Sequence, residues 1–129
     1  MRQISSLLTL IGITLATGLW VQNAAAQQAK DAGGNVYVVS YVDLTPNNIT
    51  EGVKLLQQFA ADSRKDPGVV RFELVRQDSR GNHLALLEVW RSRQAFDAHS
   101  SSEHTKEFRE KLHPMLGSPF DERLHSIVQ

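Results

Sequence analysis

His99 and His104 stand five positions apart in the stretch HSSSEH, a short distance after an apolar run that carries Glu88 and Trp90. An unperturbed imidazole titrates near neutrality, so either histidine can accept or return a proton at physiological pH. Glu88 lies in LLEVW, and a carboxylate in such company needs a hydrogen-bond donor, an Arg or a His, if it is buried. Such a donor would fix the orientation of a base in the same step. Trp90, Phe72, Tyr41 and Phe59 offer flat apolar surfaces on which a ring can stack. Proton transfer beside an apolar binding surface is the chemistry these residue types suit.

Each residue also has a plainer role open to it. Five positions on a continuous helix turn through about 500°, so His99 and His104 share a face only if the helix breaks at Ser100-Ser101-Ser102. Ser101 or Ser102 can cap a second helical piece, which leaves His104 in its first turn. Trp90 also suits a core or an interface, and Glu88 a structural carboxylate. His83, His113 and His125 read as surface or packing residues. With this histidine spacing, scattered carboxylates and no cysteine, no metal site is expected.

The elements that must position these side chains follow from periodicity. Val36 to Leu44, VYVVSYVDL, is rich in β-branched and aromatic residues and reads as a strand. Asn48, with Glu51 three positions on, has the spacing of a capping box, and Ile49, Val53, Leu56 and Ala60 then recur at helical spacing up to the turn Asp66-Pro67-Gly68. Val69 to Gln77 and His83 to Trp90 flank Asp78-Ser79-Arg80-Gly81-Asn82 and read as a hairpin, with Val70, Phe72 and Leu74 on one face. Helical stretches are expected over Ser92 to His99 and Ser102 to Leu116, and a last strand over Arg123 to Val128. The order βαββαβ, its second helix interrupted, is the α+β ferredoxin-like arrangement with an antiparallel sheet. In HLALLEVW both alternating faces are apolar, and the first strand is similar. Helices cover one face only, so the other is expected to close against a second copy of the chain as a dimeric α+β barrel.

The chain has 129 residues, enough for one core. Arg2, the apolar run Ile4 to Val21 and Ala24-Ala25-Ala26 form a secretory signal pattern, with cleavage expected after Ala26. The domains expected are a signal peptide at 1–26, a flexible leader at 27–35 and a folded unit at 36–129. Without Arg2, thirteen basic residues face fourteen acidic ones, so the broad basic field of a nucleic-acid binder is absent. The mature protein is expected to be secreted or periplasmic, without stable membrane insertion after cleavage.

PGVVRFELVRQD, LLEVWRSRQAFDAHSSSEHTKEF and the tail LHPMLGSPFDERLHSIV together resemble the antibiotic biosynthesis monooxygenase family, in particular its quinol monooxygenase-like members. The resemblance runs from about Val36 to Val128 and is most specific in the E-x-W-x-S-x-x-A-F-x-x-H-x-x-S-x-H pattern. It implies a dimeric α+β barrel and, in some relatives, oxygenation of aromatic substrates by dioxygen with no cofactor. Haem-degrading relatives of the same fold resemble one another in an Asn on the first strand, a Trp within the second helix and a haem-ligating His further along it. The corresponding places here hold Ser40, His99 and Arg109, so haem degradation is not expected.

The function the resemblance implies is oxygenation of a quinol or similar aromatic small molecule. Removing a ring-hydroxyl proton, whose pKa lies near about 10, gives an electron-rich anion that can reduce dioxygen itself. The protein must supply a base, an apolar pocket and a means of holding the anion. His99 and His104 are the expected bases, and Trp90, Phe72, Tyr41, Phe59 and Glu88 the expected substrate contacts, with the pocket near Trp90. If neither histidine serves, the base falls to Glu88, Tyr41 or water. The alternative is a non-catalytic dimeric module that binds a small ligand or a protein.

Overall fold

The computed structural model describes residues 34–128. The expected signal segment and all but the last two residues of the leader lie outside the described residues. Strands β1 (Val36–Asp43), β2 (Val69–Arg76), β3 (His83–Trp90) and β4 (Asp121–His125) combine with helices α1 (Ile49–Ser63), α2 (Arg93–Ser100) and α3 (Glu103–Leu112). Single 3-10 turns at Pro46–Asn48 and His113–Met115 precede α1 and follow α3. The sheet order is β2-β3-β1-β4 with every neighbouring pair antiparallel. This is the α+β ferredoxin-like topology, its second helix split in two.

One sheet face carries the core. Val38 and Val42 of β1, Leu84, Leu86 and Trp90 of β3, and Phe72 of β2 bury against Leu56 and Phe59 of α1, Phe96 of α2, and Phe108 and Leu112 of α3. Complete burial of a side chain such as Leu86 contributes about 1.5–3 kcal/mol. Strand alternation sends Tyr37, Val39 and Tyr41 of β1, and Ala85, Leu87 and Val89 of β3, to the opposite face. Tyr41 is exposed there and cannot form a wall with Trp90, which corrects the expectation that these two rings share a pocket. Among the described residues, no helix is long and apolar enough to cross a membrane.

Three local expectations change for physical reasons. Val69 pairs with Trp90 and Arg71 with Val89, so Val70 is the extra residue of a bulge and turns out to solvent. The bulge shifts the phase of β2, and Val69 takes the core-facing place expected for Val70. Asn48 does not cap α1 with its side chain. Its backbone is not extended, as a cap requires, and its Nδ2 donates to Thr45 Oγ1 at 2.8 Å. Pro114 cannot supply an amide to a helix, so α3 stops at Leu112, and 113–120 forms a turn and an extended segment in place of a last helical turn.

Asp66-Pro67-Gly68-Val69 closes as a type II turn, with the Val69 N–H donating to the Asp66 carbonyl at 3.4 Å and Gly68 at φ +84°. A Cβ on Gly68 would stand 2.5 Å from Ala95 Cβ. Gly68→Ala therefore adds a left-handed backbone penalty to a clash with α2, and is expected to cost at least about 2 kcal/mol. The urea midpoint of the variant checks this; an unchanged midpoint would mean that the turn relaxes freely.

Candidate functional site

The serine break brings the two histidines together. Ser92 caps α2 by accepting the Ala95 N–H at 3.1 Å, and Ser102 caps α3 by accepting the Thr105 N–H at 3.4 Å. Between these caps the chain turns, and the His99 and His104 rings come to 5.6 Å centre to centre. A third residue joins them that the sequence reading missed: Asp66, whose Oδ2 lies 2.7 Å from His99 Nδ1 and 3.1 Å from His104 Nε2. Its only local signal was its position in front of Pro67-Gly68, a turn that holds it at the end of the helix layer. His99 is buried, stacked on Trp90 at 4.5 Å and bordered by Phe59 and Phe72. Burial holds its pKa below the ordinary imidazole value against the opposing hydrogen bond and charge of Asp66.

Glu88 lies on the core face of β3 and is 4% exposed. Its donor is Trp90, two residues along the same strand face, whose Nε1 gives a 2.8 Å hydrogen bond to Oε2. The expected Arg or His does not fill that place. Burial pushes the Glu88 carboxyl up to about 7, with the Trp90 bond pulling the other way. Glu122 and Arg109 add smaller, opposing electrostatic effects. Arg109 donates to both Glu122 carboxylate oxygens, at 2.9 and 3.1 Å, and lies 5.7 Å from the Phe120 ring centre. Ser40, between Leu86 and Glu122 in the sheet register, buries its Oγ without a hydrogen-bond partner.

Arg109 also borders an open cavity of about 560 Å³, lined by Leu112 and His113 at the end of α3 and by the segment Leu116 to Phe120. That volume falls within the range of small-molecule sites. The sequence-predicted walls do not line it: Trp90 and Phe72 are core, and Tyr41 borders a depression on the outer sheet face. Phe59 and His104 border a groove of about 90 Å³ between α1 and α3, too small for a substituted aromatic ring. The large cavity was hidden from the sequence because its walls come from residues read as the end of a helix.

The fold and site define a ferredoxin-like α+β domain with a buried carboxylate of raised pKa and a separate cavity bordered by Arg109. The chain belongs to the antibiotic biosynthesis monooxygenase family, whose profile matches residues 35–111. It is 28% identical over 104 residues to the uncharacterized protein sll1783 of Synechocystis, covering 81% of this chain and 71% of that protein. A solved antibiotic biosynthesis monooxygenase superposes with a TM-score of 0.69 at 19% identity, over 73% of this chain and 99% of that one. Rv0793 of Mycobacterium tuberculosis gives the same TM-score at 24% identity, over 74% and 96%. These structural likenesses establish the fold, and the family supports a monooxygenase-like role in general.

Proposed function

We propose that the protein is a cofactor-independent monooxygenase of a quinol or similar aromatic small molecule, held in the cavity beside Arg109, with Glu88 as the base. The observation that carries this reading is Glu88, a carboxyl fixed by Trp90, raised to about 7 and within electrostatic reach of the arginine that borders the cavity. A carboxylate of that basicity can take a ring-hydroxyl proton at neutral pH far better than one with a pKa near 4. Arg109 is placed to balance the charge of the resulting anion. The anion then supplies the electrons that reduce dioxygen: one oxygen atom enters the ring carbon framework, the other leaves as water, and the substrate is oxidised by four electrons.

His99 offers a second base, favoured by the Asp66 carboxylate that orients it and by the burial that keeps it neutral. Oxygen uptake with a panel of quinols and no added cofactor tests the activity, and the Glu88→Gln and His99→Ala variants separate the bases. Saturable quinol binding without oxygen uptake would instead fit the non-catalytic module.

The reading includes export and pairing. The outer face of Tyr37, Val39, Leu87 and Val89 is apolar yet only partly covered, and a second copy of the sheet is the proposed partner. Exported protein is expected to begin at Gln27 by mass and to sediment as a dimer at micromolar concentration. Leu87→Asp, which places a charge on that face and leaves the core untouched, is expected to give a folded monomer. An unaltered chain that sediments as a monomer would remove the barrel.

A further inference from the structure

We propose that Asp66, His99 and His104 form a binding site for a divalent first-row transition-metal ion, separate from the cavity beside Arg109. Three elements converge there: the turn before β2, thirty-three positions ahead of His99, the end of α2 and the first turn of α3. Each residue offers one ligand atom, and the three atoms lie within 4.8 Å of one another. Two imidazoles and one carboxylate suit ions such as zinc, cobalt or ferrous iron, whereas magnesium and calcium favour oxygen ligands alone. Around a tetrahedral ion with bonds of about 2.0–2.2 Å, neighbouring ligand atoms stand about 3.3–3.6 Å apart. The Asp66 contacts of 2.7 and 3.1 Å are within small side-chain movements of that spacing.

The hydrogen bonds around Ser102 argue that more than a histidine–aspartate hydrogen bond is built here. Ser102 Oγ accepts the Thr105 N–H and lies 2.7 Å from the His99 carbonyl, 3.0 Å from Thr105 Oγ1 and 3.1 Å from His104 Nδ1. When the hydroxyl hydrogen goes to the His99 carbonyl, the same oxygen accepts from His104 Nδ1–H, the tautomer that frees Nε2 as a ligand atom. Its Nε2 is left with a lone pair 3.1 Å from the Asp66 carboxylate, buried and without a hydrogen bond. Two electron-rich atoms at that distance repel unless a cation lies between them. A proton on Nε2 would give an ion pair with Asp66 but no hydrogen bond, because an N–H there is not directed at the carboxylate. An ion off the line joining the two atoms uses that lone pair directly. Ser102 then serves as the outer partner that fixes the tautomer of a ligating histidine. Three protein ligands leave a position for water, and the partly exposed His104 ring, which borders the small groove between α1 and α3, gives the ion a way in from solvent.

The test is titration of untagged, chelator-treated protein with Co²⁺ and then Zn²⁺, read by the visible absorption of bound cobalt and by calorimetry. One equivalent of Co²⁺ is expected to bind with a visible spectrum that Zn²⁺ abolishes. His104→Ala and Asp66→Asn, with folding checked by circular dichroism, are each expected to weaken binding by more than about 100-fold, while His125→Ala on β4 leaves it unchanged. Lack of saturable binding up to millimolar metal overturns the site. So does one-to-one binding whose affinity survives both His104→Ala and Asp66→Asn. Because the readout is metal affinity, failure here leaves quinol-dependent oxygen uptake untouched, and failure of that activity leaves this site standing.

Discussion

Glu88→Gln is expected to lower quinol-dependent oxygen uptake by roughly 10²-fold or more, the scale on which a positioned general base contributes. Glutamine keeps the shape of the side chain and an oxygen that can still accept from Trp90 Nε1, so the fold is retained and only basicity is lost. The pH dependence identifies the group. Its active form is the carboxylate, so the rate of the unaltered protein should rise with pH through about 7 and level off above it, and that limb should vanish in the variant. Trp90→Phe adds a sign check. The Trp90 hydrogen bond lowers the Glu88 pKa, so its removal should move the limb to higher pH without abolishing activity. A Glu88→Gln enzyme with full activity, together with a His99→Ala enzyme that has lost it, would transfer the role of base to the Asp66–His99 pair.

Much of this fold could be read from local periodicity, since the strands alternate cleanly and Ser92 and Ser102 sit where caps were needed. The two-faced pattern of HLALLEVW correctly separated Leu84, Leu86 and Trp90 from Ala85, Leu87 and Val89. Glu88 belongs to the first set, and alternation alone points it at the core. What failed depended on phase or on distance. A single extra residue took Val70 off the face that Phe72 and Leu74 keep, and only the pairing of β1 with β3 sets Tyr41 beside Ala85 and away from Trp90. Asp66 reaches His99 across thirty-three positions, so no spacing rule would have joined them. Local spacing also gave no metal centre, whereas folding gathers one carboxylate and two imidazoles into a ligand-like group. The cavity was missed because helix propensity was followed through Leu116 past Pro114, where ring geometry stops it.

The same burial that makes Glu88 basic is expected to tax the fold, and the size of that effect is measurable. Its carboxyl moves from 4.5 in the unfolded chain to about 7 in the folded one. Between those values the folded state holds a proton that the unfolded state has released, so stability falls as pH rises. The advantage of the neutral carboxyl is fully present below 4.5 and gone above about 7. At about 1.4 kcal/mol per pH unit the loss across this window is roughly 3 kcal/mol, and Glu88 is too deeply buried for solvent to screen much of it. Glutamine cannot ionise, so Glu88→Gln should lack this slope and gain stability relative to the unaltered protein between pH 5 and pH 8. Urea midpoints of both proteins at the two pH values give the result as a double difference, in which contributions from the other titrating groups cancel. A double difference near zero would mean that Glu88 ionises in the fold as readily as in water. In that event its neutral-range basicity, and with it the reason to assign it the proton transfer, would be lost. A positive value together with a large loss of oxygen uptake would identify one side chain that destabilises the domain at neutral pH because its charged form is the reactive one.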